Sequence, residues 1–322
     1  MKKRYLLFEK PIEEIEKKIE EFEKKRKNGS VEKGGEILKL KQTLSEKKKE
    51  IFSNLTAWQI VQIARHPGRP HTMDYIEKLF DDFIELHGDR ISGDDPSIIA
   101  GMGKFKGITV AVAGHQKGRE TKENLERKFG MAHPEGYRKA RRVMKLAEKF
   151  HAPVITFIDT PGAHPDIEAE KKGQALTIAE NLLEMSLLKV PILSIIIGEG
   201  GSGGALAIGF GDRILMQEFA IYSVISPEGC ASILWKKQDA VEDAAKSLKL
   251  TAKELYDLGI IDEVIPEPTG AAHSNWEEAF NYMEEAIDKN LKELKTIDID
   301  DLVELRYQKY RKIGVYDEKE ET

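Results

Sequence analysis

The chain has 322 residues, 40% of them hydrophobic and 33% charged, with a formal net charge of −6, enough apolar mass for one large domain or two smaller ones. The acidic balance argues against nucleic-acid binding as a main function, and the single cysteine, Cys230, excludes an internal disulfide and a cysteine-rich zinc site. The longest apolar run, Val190 to Ile197, is too short to cross a bilayer, and the basic N-terminus lacks the apolar stretch of a signal peptide, so a reduced, cytoplasmic enzyme or subunit is expected.

Residues 1–50 hold 16 Lys/Arg against 11 Asp/Glu, so this arm is basic and the remainder is strongly acidic. Ile12, Ile15, Ile19 and Phe22 recur at 3,4,3 spacing, Asn28-Gly29-Ser30 breaks the pattern, and Ile37, Leu40, Leu44, Ile51 and Leu55 resume it. The spacing predicts an antiparallel helical hairpin with one apolar seam. A loop over His66-Pro67-Gly68-Arg69-Pro70 precedes a helix over Met73–Leu86, with Ile76, Leu79, Phe80 and Phe83 on one face. From Ser97 the pattern changes to short strands. Ile98–Phe105 and Ile108–Ala113 flank Lys106-Gly107, a two-residue hairpin turn. A polar loop is expected from His115 to His133, then a helix opened by Pro134, a buried strand over Val154–Ile158, a long loop over Asp159–Gly173 and a helix over Gln174–Leu188.

Val190–Gly198 reads as a buried strand running into Gly200-Gly201-Ser202-Gly203-Gly204, and Ala205 to Ile208 as the start of a buried helix. Strands over Arg213–Met216 and Tyr222–Ile225 follow. Ser226 caps a helix opened by Pro227; a short helix over Thr251–Leu258, a strand over Ile260–Ile265 and a helical region over 275–314 complete the chain. Alternating strands and helices indicate an α/β fold. The division expected is an N-terminal helical region over residues 1–96 and a second domain over 97–322.

The glycine turn is a ready anion site, because the first N–H groups of a helix have no internal partner and the helix dipole favours negative charge there. Three chemistries compete for it. The first is a serine hydrolase: Gly200–Gly204 fits G-x-S-x-G between a strand and a helix. That reading needs a later acid and histidine, and of the eight histidines only His273 follows Ser202. The second is a GTPase, suggested by Asp159-Thr160-Pro161-Gly162, but no G-x-x-x-x-G-K-[ST] motif exists to cradle phosphates. The third is an oxyanion hole made of backbone alone. Thr160-Pro161-Gly162-Ala163 and Gly200–Gly204 follow neighbouring strands and would emerge at one edge of a parallel sheet, with N–H groups converging on one oxygen.

From Phe8-Glu9-Lys10-Pro11 to Tyr310 the chain resembles the alpha subunits of bacterial acetyl-CoA carboxylase carboxyltransferase. The segments that carry the resemblance include Asn54–Gln59, Val61–Pro67, Glu85–Arg90, Gly114–Arg119, Phe129–Ala140, Phe157–Ala163, Ile197–Gly209 and Tyr222–Trp235. The resemblance implies a crotonase-like (ClpP/crotonase) spiral of ββα units, with the helical hairpin before it and helices after it. It implies transfer of a carboxyl group from carboxybiotin, on a separate biotin carboxyl carrier protein, to acetyl-CoA, giving malonyl-CoA for fatty acid synthesis. It further implies a zinc-ribbon beta subunit as partner in an α2β2 heterotetramer, cooperation with an ATP-binding biotin carboxylase, and no metal bound by this chain.

In that mechanism the biotin ureido group takes the α-proton of acetyl-CoA and the enolate attacks CO2, so two oxyanions need stabilising, one by each subunit. The N–H groups of Gly203 and Gly204 are the expected hole here, with Gly162 and Ala163 as second choice. Ser202 is then a small turn residue, and Glu228 a first-turn acid that favours its helix. Segment 117–149 holds 11 Lys/Arg against five Asp/Glu, so Lys117, Arg119, Arg138, Arg141 and Arg142 are candidates for the CoA phosphates or an acidic partner. The chain departs from the family after Ala163: tyrosine is replaced by His164, and two expected glycines by Asp166 and Glu168. A non-catalytic scaffold of the same fold is the alternative that this loop raises.

Overall fold

The computed structural model describes residues 4–27 and 34–314. A 3-10 turn over Leu7–Glu9 leads into α1 (Lys10–Lys27), which packs against α2 (Gly34–Phe52). Ile12, Ile19 and Ile37 are buried, as an apolar seam between two charged helices requires. The expected break at Asn28-Gly29-Ser30 lies outside the described residues. Ile12 and Phe52 join Ile63, Phe219 and Ala271 in a small core, so the hairpin is seated on the rest of the molecule. α3 (Ala57–Ala64) opens at a capping box in which Thr56 Oγ1 accepts from Gln59 N–H and Gln59 Oε1 accepts from Thr56 N–H.

The helix expected over Met73–Leu86 is corrected by the structure. α4 spans only Thr72–Leu79, and Asp81–Glu85 forms strand β1. The apolar period runs through the change, which hides it. Strand pairing wins because the facing strand carries Gly101, where a side chain would strike the Phe83 ring and the Ile84 carbonyl. β2 (Ile98–Phe105) and β3 (Ile108–His115) form the expected hairpin, and Lys106 and Gly107 both take positive φ, 46° and 80°, as a type I′ turn demands.

The chain continues through α5 (Thr121–Glu126), α6 (Pro134–Lys149), β4 (Val154–Thr160), α7 (Ile167–Lys171), α8 (Gln174–Leu187), β5 (Ile192–Gly201) and α9 (Ser202–Gly209). Then come β6 (Arg213–Gln217), β7 (Ile221–Ser223), α10 (Pro227–Cys230), α11 (Val241–Ser247), α12 (Ala252–Asp257), β8 (Glu263–Ile265), α13 (Trp276–Leu294) and α14 (Ile299–Arg311). Two segments expected as loops thus carry short helices, α5 and α7. α7 forms because Asp166 caps it, accepting the Ala169 N–H at 2.7 Å. The region 275–314 is two helices, the second capped by Asp298.

The strands form one sheet ordered β1-β2-β3-β4-β5-β6-β8, with β7 paired to the end of β5. The first three are antiparallel; the rest are parallel. One core includes Tyr137, Val143 and Met144 of α6, Met185 of α8 and Ile208 of α9. The other includes Tyr75 and Ile76 of α4 with Phe280, Met283 and Ile287 of α13. β4 is buried throughout and β5 from Ile192 to Gly200, which matches their near-continuous apolar sequences. Being parallel neighbours, both end at the same edge, where Thr160 is in register with Gly200.

Candidate active site

β5 passes directly into α9. The residue between them in conformation is Ser202, exposed and at φ 52°, a left-handed value that reverses the chain within one residue. The turn packs backbone to backbone on the loop after β4. A Cβ on Gly201 would collide with the Pro161 carbonyl, and one on Gly204 with the Gly162 carbonyl carbon and, at 2.5 Å, the Ala163 nitrogen. These glycines are the condition for the two loops to meet. At Gly203 a Cβ would find only the Ile178 side chain, Cδ1 at 3.5 Å and Cγ2 at 3.9 Å, ordinary contact. The two loops predicted to converge therefore do so, and the first N–H groups of α9 open there without intrahelical acceptors. Gly162 donates its own N–H to Thr160 Oγ1 (3.1 Å), and Thr160 Oγ1 donates to the Gly162 carbonyl (2.7 Å). Of the second-choice pair, Ala163 alone keeps an N–H outside that turn.

Beneath the loops lies a charged clamp that the sequence did not reveal. Lys117 Nζ sits 2.7 Å from both Asp159, the penultimate residue of β4, and Glu199 of β5. Asp159 Oδ1 also accepts the Glu199 N–H (3.0 Å), and its Oδ2 lies 3.4 Å from His71. Glu199 is held again by Arg65 Nε (2.6 Å), and Arg65 forks onto Glu228 at 2.5 and 3.2 Å. Burial works to raise the Asp159 carboxyl, but Lys117, then His71, outweighs it and holds it well below the usual range. Burial is likewise overcome at Glu199 by Lys117 and Arg65, and at Glu228 by Arg65. Burial also pushes the His115 imidazole, at the end of β3, down to about 4. All three carboxylates are thus charged and paired, which suits scaffolding and leaves none as a free acid.

The remaining predicted residues fall in varied places. Arg119 bonds Asp74 and the Pro67 and Arg69 carbonyls and lies over the Trp276 ring at 4.7 Å. Arg138 bonds Asp89 (2.8 Å) and Ser92 (2.9 Å), Arg141 bonds Glu180 (2.6 Å), and Arg142 holds the Leu86, His87 and Gly88 carbonyls. Each cation already has protein partners. His273, the histidine that the hydrolase reading needs, bonds Glu9 at 3.1 Å and stacks on His66 with centroids 4.0 Å apart. Both line a cavity of about 370 Å³ between the helical hairpin and the body, with Tyr5, Lys48 and Trp276. Ser202 keeps the strained turn of a nucleophile elbow but not a histidine partner.

The fold is of the crotonase-like class: in a mixed sheet, two adjacent parallel strands end in apposed loops, one of them opening a helix. Solved structures with this fold include a transcarboxylase 12S chain, 16% identical with TM-score 0.55, covering 81% of this chain and 46% of that one. The beta subunit of Pseudomonas aeruginosa geranyl-CoA carboxylase is alike at 16% identity and TM-score 0.55, over 81% of this chain and 48% of that one. The chain thus spans about half the length of these two chains. A family described as acetyl co-enzyme A carboxylase carboxyltransferase-like matches residues 5–314. Curated relatives named acetyl-coenzyme A carboxylase carboxyl transferase subunit alpha include one from Halalkalibacterium halodurans, 54% identical over 96% of this chain and 95% of its own. Another, from Geobacter metallireducens, is 53% identical over 99% of this chain and all of its own length. The chain belongs to the acetyl-CoA carboxylase carboxyltransferase alpha family.

Proposed function

We propose that this chain is the alpha component of a cytoplasmic carboxyltransferase that moves a carboxyl group onto acetyl-CoA, forming malonyl-CoA. The observation that carries the proposal is the fit of Gly204 against Gly162 and Ala163, which only a residue without a side chain permits. It leaves the Gly203 and Gly204 N–H groups at the mouth of α9 as donors to an oxygen that gains negative charge during the reaction. A donor aimed at such charge in a dry site is worth about 3–4 kcal/mol of barrier. Ala163 is the accessory donor from the opposite loop.

The residues fit a bound carboxybiotin or thioester as wall and hole rather than as acid or base. Asp159 and Glu199 are tied to Lys117, and Glu228 to Arg65. Carboxybiotin, delivered on its carrier protein, supplies the carboxyl group. This chain's part is to bind and orient, to stabilise charge through backbone N–H, and to keep its own ionised groups paired. Lys117, Arg119, Arg138 and Arg141 remain secondary candidates for the CoA phosphates, and each would exchange an existing partner to serve there.

One hole is half of what two oxyanions need, and we assign the other half to a zinc-ribbon beta subunit in an α2β2 assembly that also meets the carrier protein and biotin carboxylase. Apolar residues support a partner on this side of the sheet. Ile167 of α7, Leu176, Leu183 and Leu187 of α8 and Leu206 of α9 are all exposed, more than single surface residues require. Mixing the chain with a matching beta subunit is expected to give malonyl-CoA-dependent carboxylation of free biotin, the reverse reaction. Equal activity from this chain alone overturns the reading.

A further inference from the structure

His164 and Asp166 meet a third residue, His133, just beyond Ala163. His133 is the residue before α6, and Asp166 the residue before α7. Asp166 Oδ2 lies 3.4 Å from His133 Nε2 and 3.4 Å from His164 Nδ1. The two rings stand 4.5 Å apart at 65°, and the three ligand atoms all fall within 4.8 Å of one another. Both nitrogens are shielded from solvent and neither makes a hydrogen bond. The other carboxylate oxygen, Oδ1, is occupied by the Ala169 N–H, which aims Oδ2 at the imidazoles. The loop carrying them is anchored separately: His164 N–H donates to the Ala132 carbonyl (3.1 Å), and Gln174 Nε2 bridges the Ala132 and His164 carbonyls.

We propose that His133, His164 and Asp166 form a binding site for a divalent transition ion of the zinc type. Two imidazoles and one carboxylate are a donor set such ions take, with a fourth position left for water or a ligand. Bonds of about 2.0–2.2 Å to a tetrahedral ion place neighbouring ligand atoms about 3.4 Å apart, the separation at which Asp166 holds both nitrogens. A bound ion gives both nitrogens a short ligand bond, where Asp166 Oδ2 at 3.4 Å offers each only a long contact. The second cluster of this kind, Glu9–His66–His273, is built differently: His66 already accepts the Gly68 N–H on Nδ1 and meets the Arg4 carbonyl through Nε2. The ion would link the starts of α6 and α7 one residue from Ala163, and so fix the wall of the glycine site. The site does not depend on which reaction the chain performs, and it revises the expectation that the chain binds no metal.

The full-length chain, stripped of metal, is titrated with Co2+ and followed by visible absorption. Expected is one equivalent with the intense band of four-coordinate Co2+, displaced by Zn2+, and a melting temperature that rises as either ion saturates the protein. Asp166→Asn keeps an oxygen to cap α7 but removes the anionic ligand, and is expected to weaken Co2+ binding at least about tenfold. His164→Tyr, which removes one imidazole, should abolish the band, and His273→Ala should leave it intact. The metal-free melting temperature of each variant shows that it folds. Absence of the band in the unaltered chain overturns the proposal. So does a band that persists in both Asp166→Asn and His164→Tyr, or one that only His273→Ala removes.

Discussion

The two loops that meet at the ends of β4 and β5 are built by opposite means. The turn after β5 is all but stripped of side chains, and its shape comes from a long buried strand and the positive φ of Ser202. The loop after β4 is held by side chains: Thr160 closes the turn at Gly162, Asp166 caps α7, and Gln174 ties His164 to Ala132. The first can present backbone N–H groups to a ligand because nothing projects from it. The second carries side chains with chemistry of their own, among them His164 and Asp166. A side chain has no room at Gly201 or Gly204, whereas the loop after β4 already carries polar side chains without disturbing the apposed backbone.

What the two share is the clamp below, and removing it is the most severe way to break the comparison. Lys117→Met leaves Asp159, under one loop, and Glu199, under the other, buried without their common cation. Such a loss costs about 3–5 kcal/mol, read as a fall in urea midpoint at pH 7. The pH dependence carries the sign. In the unaltered chain both carboxyls are depressed, so their contribution is full above the unfolded values near 4 and is lost as pH falls through and below them. Without Lys117, burial raises the Asp159 carboxyl, and Glu199 is left with Arg65 alone to hold it down, so protonation relieves the variant. Its deficit should shrink as pH falls from 7 to 4; a deficit constant over that range contradicts the clamp.

The clamp also marks where sequence reading stopped. The glycine turn, the β2–β3 hairpin and the strands β4 and β5 are legible because their signals are local: apolar runs, a Lys-Gly turn, a glycine cluster. β1 is misread because Phe80 and Phe83 continue the apolar period of α4, and only the gap at Gly101 on another strand decides the pairing. Lys117 lies 42 residues from Asp159 and 82 from Glu199, and no spacing rule spans such distances. It reads from sequence as one cation in a basic stretch. Likewise His164 and Asp166 stand out as departures, but that His133 faces them follows only from the fold.

Replacing Gly204 tests the contact between the loops without disturbing the clamp. In Gly204→Ala the new methyl meets the Gly162 and Ala163 backbone, and neither can yield as a flexible side-chain end would. A shift of the hole by about 1 Å is expected to cost on the order of 10²-fold in carboxyl transfer by the reconstituted enzyme. Gly203→Ala is the comparison: its methyl meets only Ile178 at ordinary distance, so the turn itself is not displaced. If the Gly203 variant loses as much stability as the Gly204 variant, the packing account of the glycines is wrong.

The smallest effect is expected at the residue that first attracts attention. Ser202 stands in the middle of the glycine cluster, exposed and left-handed, in the position where a hydrolase would place its nucleophile. Alanine carries the same Cβ at the same φ, so Ser202→Ala changes neither the strain of the turn nor the backbone N–H groups beside it. Stability should stay within about 0.5 kcal/mol and carboxyl transfer within about twofold. A nucleophile would behave otherwise, since losing it costs on the order of 10⁶-fold. It would also react with a fluorophosphonate, which requires a histidine to take its proton, and His273 is engaged with Glu9 and His66. Labelling at Ser202, or collapse of turnover in Ser202→Ala, would move the chemistry from backbone to side chain. It would also remove the distinction between a turn that works through what it lacks and a loop that works through what it carries.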